Sequence, residues 1–267
     1  MVKLAIIGAG AMGQAIAKGL VEAKLYKAGE IKFFDLRHDL LEGLERQFGF
    51  GFAESFDELI SELKSESILV FAVKPQNIDQ VLSDIKALDS SVLIISILAG
   101  TKIAKFVERF PENPIIRVMP NTPAQIGCGA SALAPNSICK SKDLERAQEI
   151  FSALGLATIV EEEDLDLVTA LSGSGPAYVF YLVEAMAEAA SKLGLERSKA
   201  EALALQTVFG AGTLAAQSER SPSELRAQVT SPNGTTAAAI ESLEKNGFKE
   251  TLFRAVSAAK QRSQELS

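Results

Sequence analysis

The apolar run Leu4-Ala5-Ile6-Ile7 leads directly into Gly8-Ala9-Gly10-Ala11-Met12-Gly13, and from there into a stretch with helical periodicity. A Gly-x-Gly-x-x-Gly pattern with a strand before it and a helix after it constrains the fold more than any other feature of this chain. Gly8 permits the tight turn, Gly10 lets the backbone approach a pyrophosphate, and Gly13 allows the helix to pack closely on the strand. The helix start adds the positive end of a dipole and free N–H groups. Gly8, Ala9, Gly10, Ala11, Met12 and Gly13 are therefore expected to bind a dinucleotide. The plain alternative is a glycine-rich turn with no ligand.

The next 150 residues repeat the same alternation. Short β-rich runs are expected at 3–8, 31–35, 68–73, 92–97, 115–119 and 158–160, and helices at 12–23, 38–48, 77–87, 103–110 and 143–154. Alternating β and α units imply a mostly parallel sheet with helices on both faces. Several runs are continuously apolar over most of their length, as expected where both faces are covered. This is an α/β, Rossmann-type doubly wound sheet over residues 1–160. After Glu161-Glu162-Glu163 no strand pattern recurs. Helices are expected at 176–193, 198–216, 222–227, 235–245 and 249–266, so residues 161–267 form an all-helical domain. Ser221-Pro222-Ser223-Glu224 fits a capping box, and Gly194 and Gly247 suit helix ends. The stretch from Ala200 to Ala216 is apolar on more than one face and must be buried. Such helices in so small a domain imply that some faces are buried against another subunit.

Composition removes several function classes. The net charge of −7 gives no basic face for nucleic acid. No run approaches the roughly 18 apolar residues that span a membrane. Cys128 and Cys139 form no Cys-x-x-Cys or Cys/His cluster, so no zinc site is expected, and reduced cytoplasmic thiols are the default reading. His38 is the one histidine. A Ser-His-Asp triad or a His-based hydroxyacid dehydrogenase is disfavoured accordingly. His38 itself reads as a solvated residue just after a strand.

Further ligand contacts are expected at the carboxyl ends of the strands, where open α/β sheets bind ligands. Asp35 ends the second strand and could accept from an adenosine ribose 2′-OH, which favours NAD(H). Arg37 could meet a 2′-phosphate, which favours NADP(H). The sequence leaves both cofactors open. Ala72-Val73-Lys74-Pro75 and Ile97-Leu98-Ala99 follow the third and fourth expected strands; Lys74 is either a solvated loop lysine or a cofactor-side contact.

A second anion site stands far downstream. Val229-Thr230-Ser231-Pro232-Asn233-Gly234-Thr235-Thr236 runs straight into an apolar helical stretch. A Ser/Thr-rich turn opening a helix aims N–H groups and hydroxyls at one spot, a receptor for a carboxylate. An ordinary helix cap is the alternative.

Taken in order, Gly8-Ala9-Gly10-Ala11-Met12-Gly13, Ala72-Val73-Lys74-Pro75, Met119-Pro120-Asn121-Thr122-Pro123, Leu171-Ser172-Gly173-Ser174-Gly175-Pro176-Ala177-Tyr178 and the 229–236 segment make the chain resemble pyrroline-5-carboxylate reductases over essentially its whole length. The resemblance implies reduction of 1-pyrroline-5-carboxylate to L-proline with NADPH or NADH. It also implies a Rossmann domain followed by a helical dimerisation domain, with the substrate site at the dimer interface. Carried over by motif, Ala72, Val73, Lys74, Pro75, Ile97, Leu98 and Ala99 would line the nicotinamide side. Ser231, Gly234, Thr235 and Thr236 would hold the substrate carboxylate. Thr236 would be the proton donor or hydrogen-bond partner of the imine nitrogen, and Glu162 a substrate-side acid. Asn233 stands where the family has glycine; Asn tolerates left-handed backbone, so the turn is expected to survive. The stretch 176–191 has no lysine, with Lys192 only at its far end, which argues against alcohol oxidation. The rival readings are another imine or hydroxyacid reductase of this architecture and a non-catalytic dinucleotide-binding sensor.

Overall fold

Strand-forming runs, the central ones buried on both sides, set the frame. In the computed structural model, which describes residues 2–266, they are β1 (Leu4–Ile7), β2 (Ile31–Phe34), β3 (Gly51–Phe52), β4 (Ile68–Phe71), β5 (Leu93–Ser96), β6 (Ile115–Met119), β7 (Gly129–Pro135) and β8 (Gly155–Ile159). They form one sheet in the order β3-β2-β1-β4-β5-β6-β7-β8. Neighbours run parallel except β6 and β7, which are antiparallel with Val118 opposite Leu133.

Alternate side chains of the central strands enter two separate cores. Leu4, Ile6, Val70 and Ile95 pack with Ile16 and Leu20 of α1 (Ala11–Glu22), Leu41 and Leu44 of α2 (His38–Phe48), and Ile150 and Phe151 of α6 (Ser141–Ser152). Ala5, Ile7, Leu69, Phe71 and Ile94 pack with Leu59 of α3 (Phe56–Ser61), Val81 and Leu82 of α4 (Ile78–Asp84), and Phe106 of α5 (Ile103–Arg109). Covering both faces is what a continuously apolar strand requires, and each large side chain so buried contributes about 1.5–3 kcal/mol relative to exposure.

Two strands have no counterpart among the expected ones. β3 is only two residues long. β7 reads Gly-Ala-Ser-Ala-Leu-Ala-Pro and carries little intrinsic β preference. It is a strand because β6 and β8 flank it and pair with it on both edges. The small helix α3 was also unassigned in the sequence; Ser55 caps it by accepting from the Glu58 N–H.

Packing divides the chain into two units, residues 2–174 with 259–266 and residues 175–258. The sequence reading put the boundary at 160/161. The connecting stretch stays with the sheet because α7 (Leu165–Val168) packs on it: Leu165 is buried with Ala132 and Ala134, and Val168 and Val160 lie against them. A π-type turn, Thr169–Gly173, follows, with the Ser174 N–H bonded to the Thr169 carbonyl. Residues 259–266 join the same unit, where the Ser263 hydroxyl donates to Asp166 at 2.6 Å.

The second unit is helical: α8 (Gly175–Lys192), α9 (Arg197–Gln217), α10 (Pro222–Gln228), α11 (Thr235–Lys245) and the larger part of α12 (Phe248–Glu265). α8 and α9 meet through Val183, Ala187, Ala190, Ala200 and Ala204. Within the chain they leave Phe180, Tyr181, Leu203, Leu205, Phe209 and Leu214 exposed, Phe209 at 65%. None of the described helices is long and apolar enough to cross a membrane.

Candidate cofactor and substrate sites

The strand order reverses at β1. The chain leaves β1 for β2 on one side and returns to β4 on the other, so the carboxyl ends of β1 and β4 part to open a crevice. A cavity of about 680 Å³ lies there, lined by Gly8, Gly10, Phe34, Asp35, Arg37, Phe56, Ala72, Val73, Lys74, Gln76 and Asn77 among others. Gly8 has φ +107°, and a Cβ there would lie 2.6 Å from the Ala72 carbonyl oxygen. Glycine at this position therefore lets the turn after β1 touch the turn after β4. A Cβ built on Gly10 meets nothing within 4 Å. α1 starts without a side-chain cap, so its first-turn N–H groups face that open space. An NAD(P) pyrophosphate fits this cradle.

The expected cofactor residues are distributed unequally. Gly8, Gly10, Asp35, Arg37, Ala72, Val73 and Lys74 line the cavity. Ala9 and Ala11 border an adjoining groove with Lys18, Arg37 and Gln125. Gly13 is buried where any side chain would strike the Gly8 carbonyl. Met12 packs partly against the core. Pro75 opens the short 3₁₀ turn that carries Gln76 and Asn77 to the cavity. Ile97, Leu98 and Ala99 follow β5 outside that lining. The Ile97 N–H bonds to the Phe71 carbonyl, while Leu98 turns into the core at 2% exposure, leaving only its backbone for a ligand. Phe56, Gln76, Asn77 and Gln80 are lining residues that the sequence reading missed. Their one available signal was proximity to Lys74-Pro75.

Asp35 is the most heavily bonded group of the crevice. Its Oδ2 accepts from the Ala9 N–H at 2.8 Å and from Arg37 Nη2 at 2.8 Å. Its Oδ1 accepts from the Arg37 N–H at 3.0 Å and Nε at 2.8 Å. Burial pushes the carboxyl up, but the Arg37 side chain and the two amides outweigh it and hold it below the ordinary carboxylate range. His38 is exposed beside Glu54, 3.4 Å away.

Glu162, the expected substrate-side acid, is bonded within the first unit. Its Oε1 accepts from the Ile103 N–H at the start of α5 at 2.7 Å and from the buried Arg117 at 3.2 Å. The carboxylate thus caps a helix and neutralises a buried guanidinium, a structural role with no signal in the sequence.

Asn121 ties two motif segments together. Its Nδ2 donates to the Ser172 carbonyl in the π-type turn at 3.0 Å, and its Oδ1 accepts from the Ala130 N–H at 2.8 Å. Asn121→Ala leaves both backbone groups without this partner and is expected to cost about 1–3 kcal/mol. Urea unfolding with an unchanged midpoint would show that the bridge is dispensable.

In the helical unit, α10 and α11 start differently. α10 has the expected capping box: the Ser221 N–H donates to Glu224, and Ser221 Oγ accepts from the Glu224 N–H. α11 follows Gly234, which has no side chain to cap with, and among the described residues no side chain bonds its first-turn amides. Thr207, Thr213, Thr230 and Thr251 all donate to the carbonyl four residues back. Thr235 and Thr236 have no helical turn behind them, and among the described residues their hydroxyls make no hydrogen bond. Ser231 Oγ sits against Gly234, in space that any side chain at 234 would take. Asn233 adopts φ +60°, the left-handed conformation expected for it.

A family model described as pyrroline-5-carboxylate reductase dimerisation matches residues 162–266, and one described as NADP oxidoreductase, coenzyme F420-dependent, matches residues 3–100. A pyrroline-5-carboxylate reductase of Synechocystis sp. is 40% identical over 265 residues, covering 99% of this chain and 98% of the relative. The chain belongs to the pyrroline-5-carboxylate reductase family. A relative of the same name from Pseudomonas aeruginosa is 41% identical over 268 residues, 99% of this chain and 97% of its own. Among solved structures, a pyrroline-5-carboxylate reductase from Coxiella burnetii superposes with a TM-score of 0.92 at 35% identity, covering 100% of this chain and 98% of the other. A pyrroline carboxylate reductase from Plasmodium falciparum, solved with NADP bound, gives 0.84 at 35% identity, with 99% and 98% covered. Both parts of the fold expectation, the Rossmann-type sheet and the helical dimerisation domain, agree with this family.

Proposed function

We propose that this protein reduces 1-pyrroline-5-carboxylate to L-proline, using NADPH or NADH. The observation that carries the substrate side is the start of α11, where uncapped amides and the unbonded hydroxyls of Thr235 and Thr236 lie together. A carboxylate is the ligand that such a set of donors favours. The family relatives, whose names specify this activity, support the same reading.

The bound nicotinamide supplies the hydride. The chain's residues do the rest. Gly8, Gly10 and the start of α1 hold the pyrophosphate, and Asp35 and Arg37 meet the adenosine ribose. Ser231, Gly234, Thr235 and Thr236 fix the substrate carboxylate. In this reading the Thr236 hydroxyl hydrogen-bonds the ring nitrogen. A cyclic imine is basic enough to arrive protonated, so orientation and exclusion of water suffice and no strong general base is needed. A chain whose one histidine is exposed beside Glu54 meets that requirement. Glu162 keeps its Oε1 on Arg117 and the α5 amide, and the substrate-side role expected of it rests on the resemblance alone.

Self-association through the helical unit belongs to this reading. The exposed Phe180, Tyr181, Leu203, Leu205 and Phe209 provide apolar surface for a second copy. Phe209→Glu is expected to shift the protein toward monomers in sedimentation velocity at micromolar concentration. Burial of one Phe contributes about 1.5–3 kcal/mol per protomer, so the dissociation constant should rise at least about tenfold. An unchanged sedimentation coefficient would place the interface elsewhere. A cytoplasmic location goes with the free thiols of Cys128 and Cys139; burial pushes the Cys139 thiol up to about 11, which keeps it unreactive.

The deciding assay follows NADH and NADPH oxidation in the presence of pyrroline-5-carboxylate and identifies L-proline as product. Turnover of a 2-ketoacid panel with none on the imine would overturn the reading.

A further inference from the structure

We propose that Asp35 makes this chain discriminate against the 2′-phosphate, so that NADH binds more tightly than NADPH. The inference rests on the dinucleotide site of the proposed function and deepens it. The family model over residues 3–100 carries NADP in its description, and the Plasmodium falciparum relative was solved with NADP. The end of β2 in this chain has chemistry of the opposite sense.

The adenosine ribose sits at the carboxyl end of the second strand in this fold, where Asp35 and Arg37 lie. The Asp35 carboxylate has room for about four hydrogen bonds, and four N–H donors fill it: Ala9 N, Arg37 N, Arg37 Nε and Arg37 Nη2. Two of these are backbone amides fixed by the turn after β1 and by the turn after β2. They stay in place whatever Arg37 does, so Asp35 keeps its charge when a ligand enters.

Arg37 is already paired when a 2′-phosphate arrives. Its Nε and Nη2 form the bidentate fork on Asp35. A 2′-phosphate meets either the remaining N–H groups of a guanidinium whose charge Asp35 already neutralises, or a released Arg37 that exchanges one ion pair for another. The phosphate dianion then lies beside an ionised Asp35, a like-charge contact that the exchange does not relieve. A ribose 2′-OH makes no such demand: it donates to Asp35 in place of one Arg37 N–H, and the departing guanidinium is exposed and can be solvated. Lys74 also lines the cavity, but it follows β4, on the other strand of the crevice. His38 is turned to Glu54. Lys18 borders the adjoining groove with Arg37, but its ammonium lies over the Phe48 ring and donates to Gln14. The cation bonded at the end of β2 is the one already engaged by Asp35.

The test is direct binding without substrate, by titration calorimetry of NADH and NADPH. The native chain is expected to bind NADH at least about tenfold more tightly. Asp35→Asn keeps an oxygen for the Ala9 N–H and releases Arg37; the ratio should then move toward NADPH at least about tenfold. Adding Arg37→Ala to Asp35→Asn should remove that gain. Equal or tighter NADPH binding by the native chain overturns the proposal, and so does an Asp35→Asn ratio equal to the native one. If neither nucleotide binds, the proposed function falls along with it. If both bind and only the ratio is wrong, the reductase reading stands and the role of Asp35 alone is refuted.

Discussion

Thr236→Ala is expected to lower kcat/KM for pyrroline-5-carboxylate by about 10- to 100-fold, the value of one or two transition-state contacts. The residue is half-buried at the first turn of α11, and its hydroxyl supports no neighbour among the described residues. Removing that hydroxyl should leave the fold intact, and alanine suits a helix slightly better. Thermal unfolding should therefore be unchanged while activity falls. The split between constants is informative. If Thr236 meets the reacting nitrogen as charge moves, kcat falls; if it only grips the carboxylate, KM rises and kcat holds. Thr236→Ser should retain most of the activity. Activity within twofold of the native chain for the alanine variant would remove Thr236 from the mechanism.

Gly8→Val is expected to act on both stability and cofactor binding. Its φ of +107° is strained for any side chain, and a Cβ would press on the Ala72 carbonyl at 2.6 Å. Backbone strain and overpacking together should cost about 2–5 kcal/mol. The turn after β1 also sets where the N–H groups of α1 point, so relief of the clash moves the pyrophosphate cradle. NADH affinity should fall at least about tenfold in the folded fraction. Denaturant unfolding and calorimetric titration measure the two effects separately. A variant with native midpoint and native affinity would show that contact between the β1 and β4 turns is unnecessary. Gly10→Ala is the control: its Cβ meets no protein atom within 4 Å, so it should leave stability nearly unchanged.

The architecture of the sheet was legible because its determinants are local. Leu4–Ile7 and Ile68–Phe71 are apolar at every position and Leu93–Ser96 at all but the last, and that pattern can be satisfied only under helices on both faces. β7 was illegible for the converse reason. Its Ala and Ser residues carry no strand preference, and only the edges of β6 and β8 make it one. The candidate sites divide the same way. Asn233 at φ +60° and the capping box at Ser221 follow from residue chemistry that acts over a few positions.

The sequence alone determined the dinucleotide loop, the sheet type, the helical second part and the donor-rich start of α11. Each depends on spacing along the chain, which the sequence states outright. Tertiary structure alone decided which groups are already engaged. Glu162 and Asp35 look alike in the sequence as acids near strand ends. Folding places one on Arg117 and the α5 amide, and the other on Arg37 and the Ala9 amide at the mouth of the cavity. A carboxylate's role follows from the donors that surround it, and those donors come from residues up to 59 positions away. No spacing rule could have supplied them.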